Sequence, residues 1–234
     1  ARTRLLSVSS VQYASGLALD LQPIGAACRQ RGVAFCVDAI QGLGVKPFDV
    51  QTCQADFVMA DGHKWMLGPE GLALFYCRKE WLDRLTLRQY GWHMVEAMGD
   101  YDRRDWRPAD AARRFECGSP NMLGIHALQA SLSLLLEVGI QNIFNNVSGK
   151  ISYLIDKITM NGGVLLSEDV PQRRAGIVTF RFEGEDIDAR YRHLQRNGVI
   201  CALRGGGIRF SPHFYTSEKT LQRALSVLLE PLKS

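Results

Sequence analysis

Asp61-Gly62-His63-Lys64-Trp65-Met66-Leu67-Gly68-Pro69-Glu70-Gly71 is the stretch around which the rest of the chain falls into order. An apolar run, Asp56 to Ala60, leads into it, and another, Leu72 to Cys77, follows. Upstream, Val33 to Val37 is a third such run, and it ends on Asp38. Short continuous apolar runs suit strands buried on both faces of a sheet. Leu5 to Val8 reads as a further strand, and Asp20 to Arg31 as a helix that Asp20 can cap and Gly32 ends. Strands and helices therefore alternate, which predicts an α/β layer on a mostly parallel sheet.

A less regular stretch runs from Lys79 to about Asn121. It is followed by a long apolar helix over about 122–138 and a second helix over about 142–160. The remainder has its own rhythm: a strand at 177–182, a helix at 186–196, strands at 199–203 and 208–211 around Gly205-Gly206-Gly207, and a helix capped by Ser217. The expected organisation is thus a large α/β domain over 1–138 and a small α+β domain over 139–234.

The 234 residues are 46% hydrophobic and 22% charged, a globular composition. Net charge is +4, and acids at Asp102, Asp105, Asp110 and Glu116 interrupt the densest basic stretch, Arg103 to Arg114. That is a solvated or subunit-facing surface rather than a nucleic-acid stripe. None of the six cysteines forms a CxxC pair, so no zinc site is expected. Free cysteines in apolar segments fit a reducing cytoplasm. No stretch is long and apolar enough to span a bilayer, and residues 1–6 carry no signal-peptide core.

Asp38 and Lys64 stand where apolar strands end, and ligands of parallel α/β sheets bind beyond those carboxyl ends. Both side chains are expected in one crevice. A lysine there can form a Schiff base, and a carboxylate can keep a pyridine nitrogen protonated. Together they match the pattern by which enzymes hold pyridoxal 5′-phosphate (PLP). Taken singly each is weak: a lone Asp at a strand end is more often a turn former, and a lone Lys or His a solvated or loop residue.

The setting changes that balance. Val37 to Gly42, Asp49-Val50, Ala55 to Phe57 and Asp61 to Gly71 resemble, in combination, the class V aminotransferases and their relatives: cysteine desulfurases, kynureninases and isopenicillin N epimerase-like proteins. Phe115 to Asn121 and Ile208 to His213 resemble later blocks of the same family, in the same order. The resemblance implies a fold-type I PLP enzyme, a homodimer, acting on an α-amino acid. It implies Lys64 as the Schiff-base lysine and Asp38 as partner of the pyridinium nitrogen. It places Gln41 at the phenolic oxygen and His63 at the phosphate, with Ser119 reaching the phosphate from a partner subunit. Arg209 would grip the substrate α-carboxylate through its fork. Arg204 flanks the same glycine turn and competes for that role. Trp92 is either a pocket residue or a core aromatic.

Three departures qualify the reading. Desulfurases carry Ser or Thr where this chain has Asp61, and a carboxylate there must turn from phosphate, for instance to cap its own loop. Desulfurases also need a mobile cysteine before the arginine, whereas Cys201 is expected inside an apolar strand as packing. Finally, the family's glycine-containing phosphate loop and ring-stacking aromatic are not found before Asp38. The chain is therefore expected to be N-terminally truncated, with weak cofactor binding or none, and to be oligomeric or aggregation-prone. Transamination is the leading expectation. Elimination, hydrolysis or epimerisation by the same residues, and a silent dimerising module, are the alternatives.

Overall fold

A computed structural model describes residues 2–232. In chain order the main elements are β1 (Leu5–Ser9), α1 (Leu21–Gln30), β2 (Ala34–Asp38), β3 (Phe57–Asp61), β4 (Ala73–Cys77), α2 (Met122–Val138), α3 (Ile140–Met160), β5 (Gly163–Leu165), β6 (Val178–Phe182), α4 (Ile187–Arg196), β7 (Ala202–Arg204), β8 (Gly207–Phe210) and α5 (Glu218–Leu229). They pack as two units. The first comprises the chain up to Val8, Leu21–Ile40 and Asp49–Ser133; the second takes Ser9–Asp20, Gln41–Phe48 and the chain from Leu134 onward. A division by chain order at 138 thus differs from the packing in two early segments, which join the later unit.

The first unit is built on a sheet of order β1-β2-β3-β4. β2 and β3 run parallel, with Asp38 opposite Met59. β4 returns antiparallel to β3, with Asp61 opposite Ala73. The reversal follows from the connection: parallel neighbours need a crossover of a dozen or more residues, and the stretch between β3 and β4 is too short for one. β2 is buried at Ala34, Phe35, Cys36 and Val37, as its apolar run predicts. α1 lies close against this layer through Gly25, where an added Cβ would meet the Cys53 carbonyl oxygen at 1.8 Å. β4 differs from its neighbours: Leu74, Phe75 and Tyr76 are 36–45% exposed, on both faces of an edge strand. Such an edge is a template for further strand pairing.

The second unit carries an antiparallel sheet of order β5-β6-β8-β7. β5 is a strand that the sequence pattern does not reveal, and β7 starts at Ala202 rather than at Val199. Only Gly205 and Gly206 separate β7 from β8, both with positive φ (58° and 79°). That is the two-residue hairpin turn that favours glycine at both central positions. α3 lays a helical stripe on this unit's core, with Val147, Ile151, Leu154 and Ile158 at most 1% exposed. No single helix among the described residues is long and apolar enough to cross a membrane. α2 and α3 would qualify only as a bent pair broken at Gly139 (φ 84°).

The segment Ser9–Asp20 forms a strap on the second unit. Val11 bridges Ala18, and both join Ala175 in a small apolar cluster. Gly16 turns the strap at φ 74°, and a Cβ there would meet the Ile177 carbonyl oxygen at 2.5 Å, so conformation and space both require glycine.

The α3 stripe dominates the second unit's core. Leu154→Ala should cost about 2–5 kcal/mol, whereas Leu136→Ala, at a residue 72% exposed, should cost about 0.5 kcal/mol or less. Urea denaturation midpoints of the two variants check this.

Candidate active site

The β3–β4 connection carries Lys64 and is tied down along its length. Gly62 N donates to Leu72 O (2.9 Å), Gly68 N to Gly62 O (2.8 Å) and Leu67 N to Lys64 O (3.1 Å). Leu128 of α2 packs onto both glycines: a Cβ at Gly62 or Gly68 would stand 3.1 or 2.6 Å from its Cδ1. Trp65 and Met66, 5% and 2% exposed, anchor the loop in the core just after the lysine. Leu67 adopts φ 58°, a left-handed conformation that costs a branched side chain energy and that the surrounding bonds impose. Lys64 itself is half-buried, and its ammonium has no hydrogen bond or ion pair among the described residues.

Two carboxylates end the neighbouring strands. Asp38 closes β2, half-buried, and its Oδ1 accepts from Ile40 N (3.0 Å). Its other oxygen has no protein partner among the described residues. Asp61 closes β3, and its Oδ1 accepts from His63 N (3.4 Å) and lies 2.8 Å from His63 Nδ1. The side-chain contact is an ion pair in distance rather than a well-aligned hydrogen bond. Bonding to His63 holds the Asp61 carboxyl below the usual carboxylate range. Asp61 therefore engages its own loop, as expected of the acid at this position. Because β2 and β3 are parallel, Asp38 and the Lys64 loop occupy the same end of the first unit's sheet. Ser119 also belongs to this unit: it is exposed, just ahead of α2, whose first turn Asn121 caps by accepting from Gly124 N (3.0 Å). Trp92 is 44% exposed beside Tyr101, so it is not a core aromatic.

Gln41 and Arg209 lie in the second unit. Gln41 is buried, 6% exposed. Arg209 sits on β8 between Ile208 and Phe210, both buried on the opposite face. Its Nη1 donates to Tyr13 O (2.6 Å), and its Nε is buried without a partner. Burial, with the Arg204 charge beside it, pushes the guanidinium below its ordinary pKa. Arg204 is exposed and donates to its neighbour's carbonyl, Leu203 O, at 2.7 Å. Arg209 is thus half-buried and fixed through Nη1, with Nη2 uncommitted among the described residues, whereas Arg204 is exposed. Cys201 is half-buried at the start of the hairpin rather than inside a strand, close to the Gln195 amide, and burial pushes its thiol up.

Sequence reasoning missed two features. Asp56, 7% exposed, accepts from Phe35 N (2.8 Å) and pairs with Arg78 Nε (3.1 Å) at the end of the sheet away from Lys64. A buried acid at the start of an apolar run, with an arginine just past the next, was the available signal. The second is the strap under Arg209, which is held through backbone carbonyls and leaves no side-chain signature.

Comparison with known proteins bears on this arrangement. The family model for aminotransferase class-V matches residues 1–223. An uncharacterized aminotransferase of Bacillus subtilis, YcbU, is 31% identical over 227 residues, covering 95% of this chain and 58% of that protein. A probable cysteine desulfurase of Pyrococcus abyssi is 28% identical, over 99% of this chain and 60% of its own length. The chain thus spans less than two thirds of the relatives it matches. Among solved structures, the apo cysteine desulfurase of Thermococcus onnurineus superposes with a TM-score of 0.88 at 22% identity, over 97% of this chain and 59% of that one. The cystine C–S lyase C-DES, solved with its product cysteine persulfide, gives 0.87 at 24%, over 98% and 61%. These likenesses establish the fold as that of PLP enzymes of fold-type I. With a loop-borne lysine beside a strand-end aspartate, and a family match over nearly its whole length, the chain belongs to the class-V aminotransferase family.

Proposed function

We propose that this chain carries the catalytic residues of a PLP-dependent enzyme acting on an α-amino acid, an aminotransferase first of all. One observation carries the reading: an unengaged lysine amine and a carboxylate with an open oxygen stand at the same end of two adjacent parallel strands. That donor set fits PLP, whose aldehyde needs an amine and whose pyridine nitrogen needs an acid partner. PLP, when bound, draws electrons from the α-carbon of an attached amino acid and so makes its α-proton removable.

The protein's own part is holding and proton transfer. Lys64 Nζ would hold the cofactor and move the proton at the substrate's α-carbon, as general base and then general acid. Asp38 would keep the pyridine nitrogen protonated through its open oxygen. His63, braced by Asp61, would meet the phosphate, and Gln41 the phenolic oxygen. Arg209 would orient the substrate by its α-carboxylate. Ser119, exposed, would serve the phosphate of a partner subunit in a homodimer.

Several relatives are named cysteine desulfurases, and the hairpin favours transamination over that activity. A desulfurase needs a thiolate that travels to its substrate. Here Cys201 immediately precedes a three-residue strand closed by a two-glycine turn, and burial favours its protonated thiol. Neither the reach nor the thiolate is provided for. The same residues also suit elimination, hydrolysis or epimerisation, for which no feature of the site offers specific support.

Addition of PLP should give a visible absorbance band that Lys64→Ala abolishes; a band retained in the variant would overturn the assignment of the lysine. In the PLP-loaded protein, an amino acid and a 2-oxo acid should exchange their amino and oxo groups. Cysteine should yield no protein persulfide, and a persulfide on Cys201 by mass spectrometry would favour the desulfurase reading. Arg209→Gln should raise KM for the amino acid roughly 30-fold, the loss of about 2 kcal/mol of charge-assisted bonding.

A further inference from the structure

Three consecutive backbone carbonyls of the strap are each held by a side chain of the second unit. Arg209 Nη1 donates to Tyr13 O (2.6 Å), Thr179 Oγ1 to Ala14 O (2.5 Å) and Ser167 Oγ to Ser15 O (2.5 Å). The donors are themselves connected. Thr179 on β6 is the cross-strand partner of Arg209 on β8, and Thr179 N donates to Ser167 Oγ (2.8 Å). The strap's far end is fixed independently, since Ala18 N donates to Arg173 O (2.8 Å). Thr179 is 1% exposed, so it cannot touch a substrate.

We propose that Thr179 is a positioning residue for the substrate carboxylate: it clamps the strap at Ala14, and the adjoining Tyr13 carbonyl then fixes the guanidinium of Arg209. The inference rests on the reading of Arg209 as the carboxylate-binding residue. Arginine is a long, rotamer-rich side chain, and its fork is selective only when its plane is set before the ligand arrives. Tyr13 O takes up one Nη1 donor and seats the guanidinium with its Nε buried, leaving Nη2 and the second Nη1 hydrogen for a carboxylate. A carbonyl can fix that plane only if the loop bearing it is held still. The hydroxyls of Thr179 and Ser167 do this on the two residues that follow Tyr13. Thr179 thereby reaches the ligand through two intermediates, the strap and the arginine.

The test uses the full chain labelled with 15N in arginine. The Nε–H signal of Arg209, assigned by its loss in Arg209→Gln, is titrated with acetate as the carboxylate probe. In the wild-type protein the signal should be sharp and shift on titration. Thr179→Val keeps shape but removes the donor, so the signal should broaden and the acetate Kd rise roughly fivefold, the scale of one lost hydrogen bond. Thr179→Ser restores the donor and should restore both readouts, which a purely volumetric role for the side chain would not predict. Ser167→Ala should move both in the same direction by less, and it serves where Thr179→Val fails to fold. Acetate binding within twofold of wild type in Thr179→Val, or in Ser167→Ala with Thr179→Val unfolded, would overturn the proposal. If acetate instead perturbs the remaining arginine signals and binds Arg209→Gln as tightly as wild type, the carboxylate reading of Arg209 fails, and this inference with it.

Discussion

A buried carboxylate holds the first unit's sheet in the form that makes its lysine loop possible. Asp56 accepts from the backbone of Phe35 in β2 and pairs with Arg78 just past β4, so one side chain joins both neighbours of β3. Arg78 answers with a second bond, Nη2 to Ala55 O at 3.0 Å. A charge so enclosed is tolerated only because every partner is in place, and removing Arg78 would leave an acid buried without compensation. With β2 and β4 both tied to β3, the short connection that leaves Asp61 turns back at once rather than crossing over. The lysine therefore sits on a short, tightly bonded loop instead of a mobile one, and its neighbours in sequence become its walls.

That rigidity suits a side chain asked to act at a defined atom. Trp65 and Met66 pin the backbone on one side of Lys64, and Asp61 and His63 brace each other on the other. The lysine's root is thus held, while its amine makes no bond among the described residues. Functional side chains held by packed or bonded neighbours keep their geometry better than those on unsupported loops. In the second unit Arg209 shows the same design in another material, a carbonyl in place of an aromatic anchor.

Much of this was legible in the sequence, for physical reasons that differ from residue to residue. Asp38 and Lys64 stood out because a polar side chain that ends a continuous apolar run must face something other than the core. α2 could be bounded because Gly139 interrupts an unbroken apolar helix pattern. The sense of β4 was hidden, since an apolar run carries no record of its direction; only the length of the connection does. β5 escaped because three residues following Gly162 are too few to display alternation. Cys201 was misplaced by the same ambiguity, an apolar stretch whose first residues precede the strand. The Asp61–His63 contact could be anticipated only as an acid turning away from phosphate. The strap was illegible because its bonds are made by backbone oxygens, which every residue possesses.

The anonymity of those oxygens has a consequence for how such a site can diverge. Tyr13 and Ala14 take part through their carbonyls, so their side chains are spectators to the clamp. Tyr13 is 57% exposed, and it touches Arg209 through its carbonyl. Mutation can therefore change the group presented beside the arginine without loosening the bond that fixes it. The fixed and the variable parts of the arginine's surroundings are thus carried by different atoms of one residue, so sequence drift at that position can alter one while leaving the other as it was inherited.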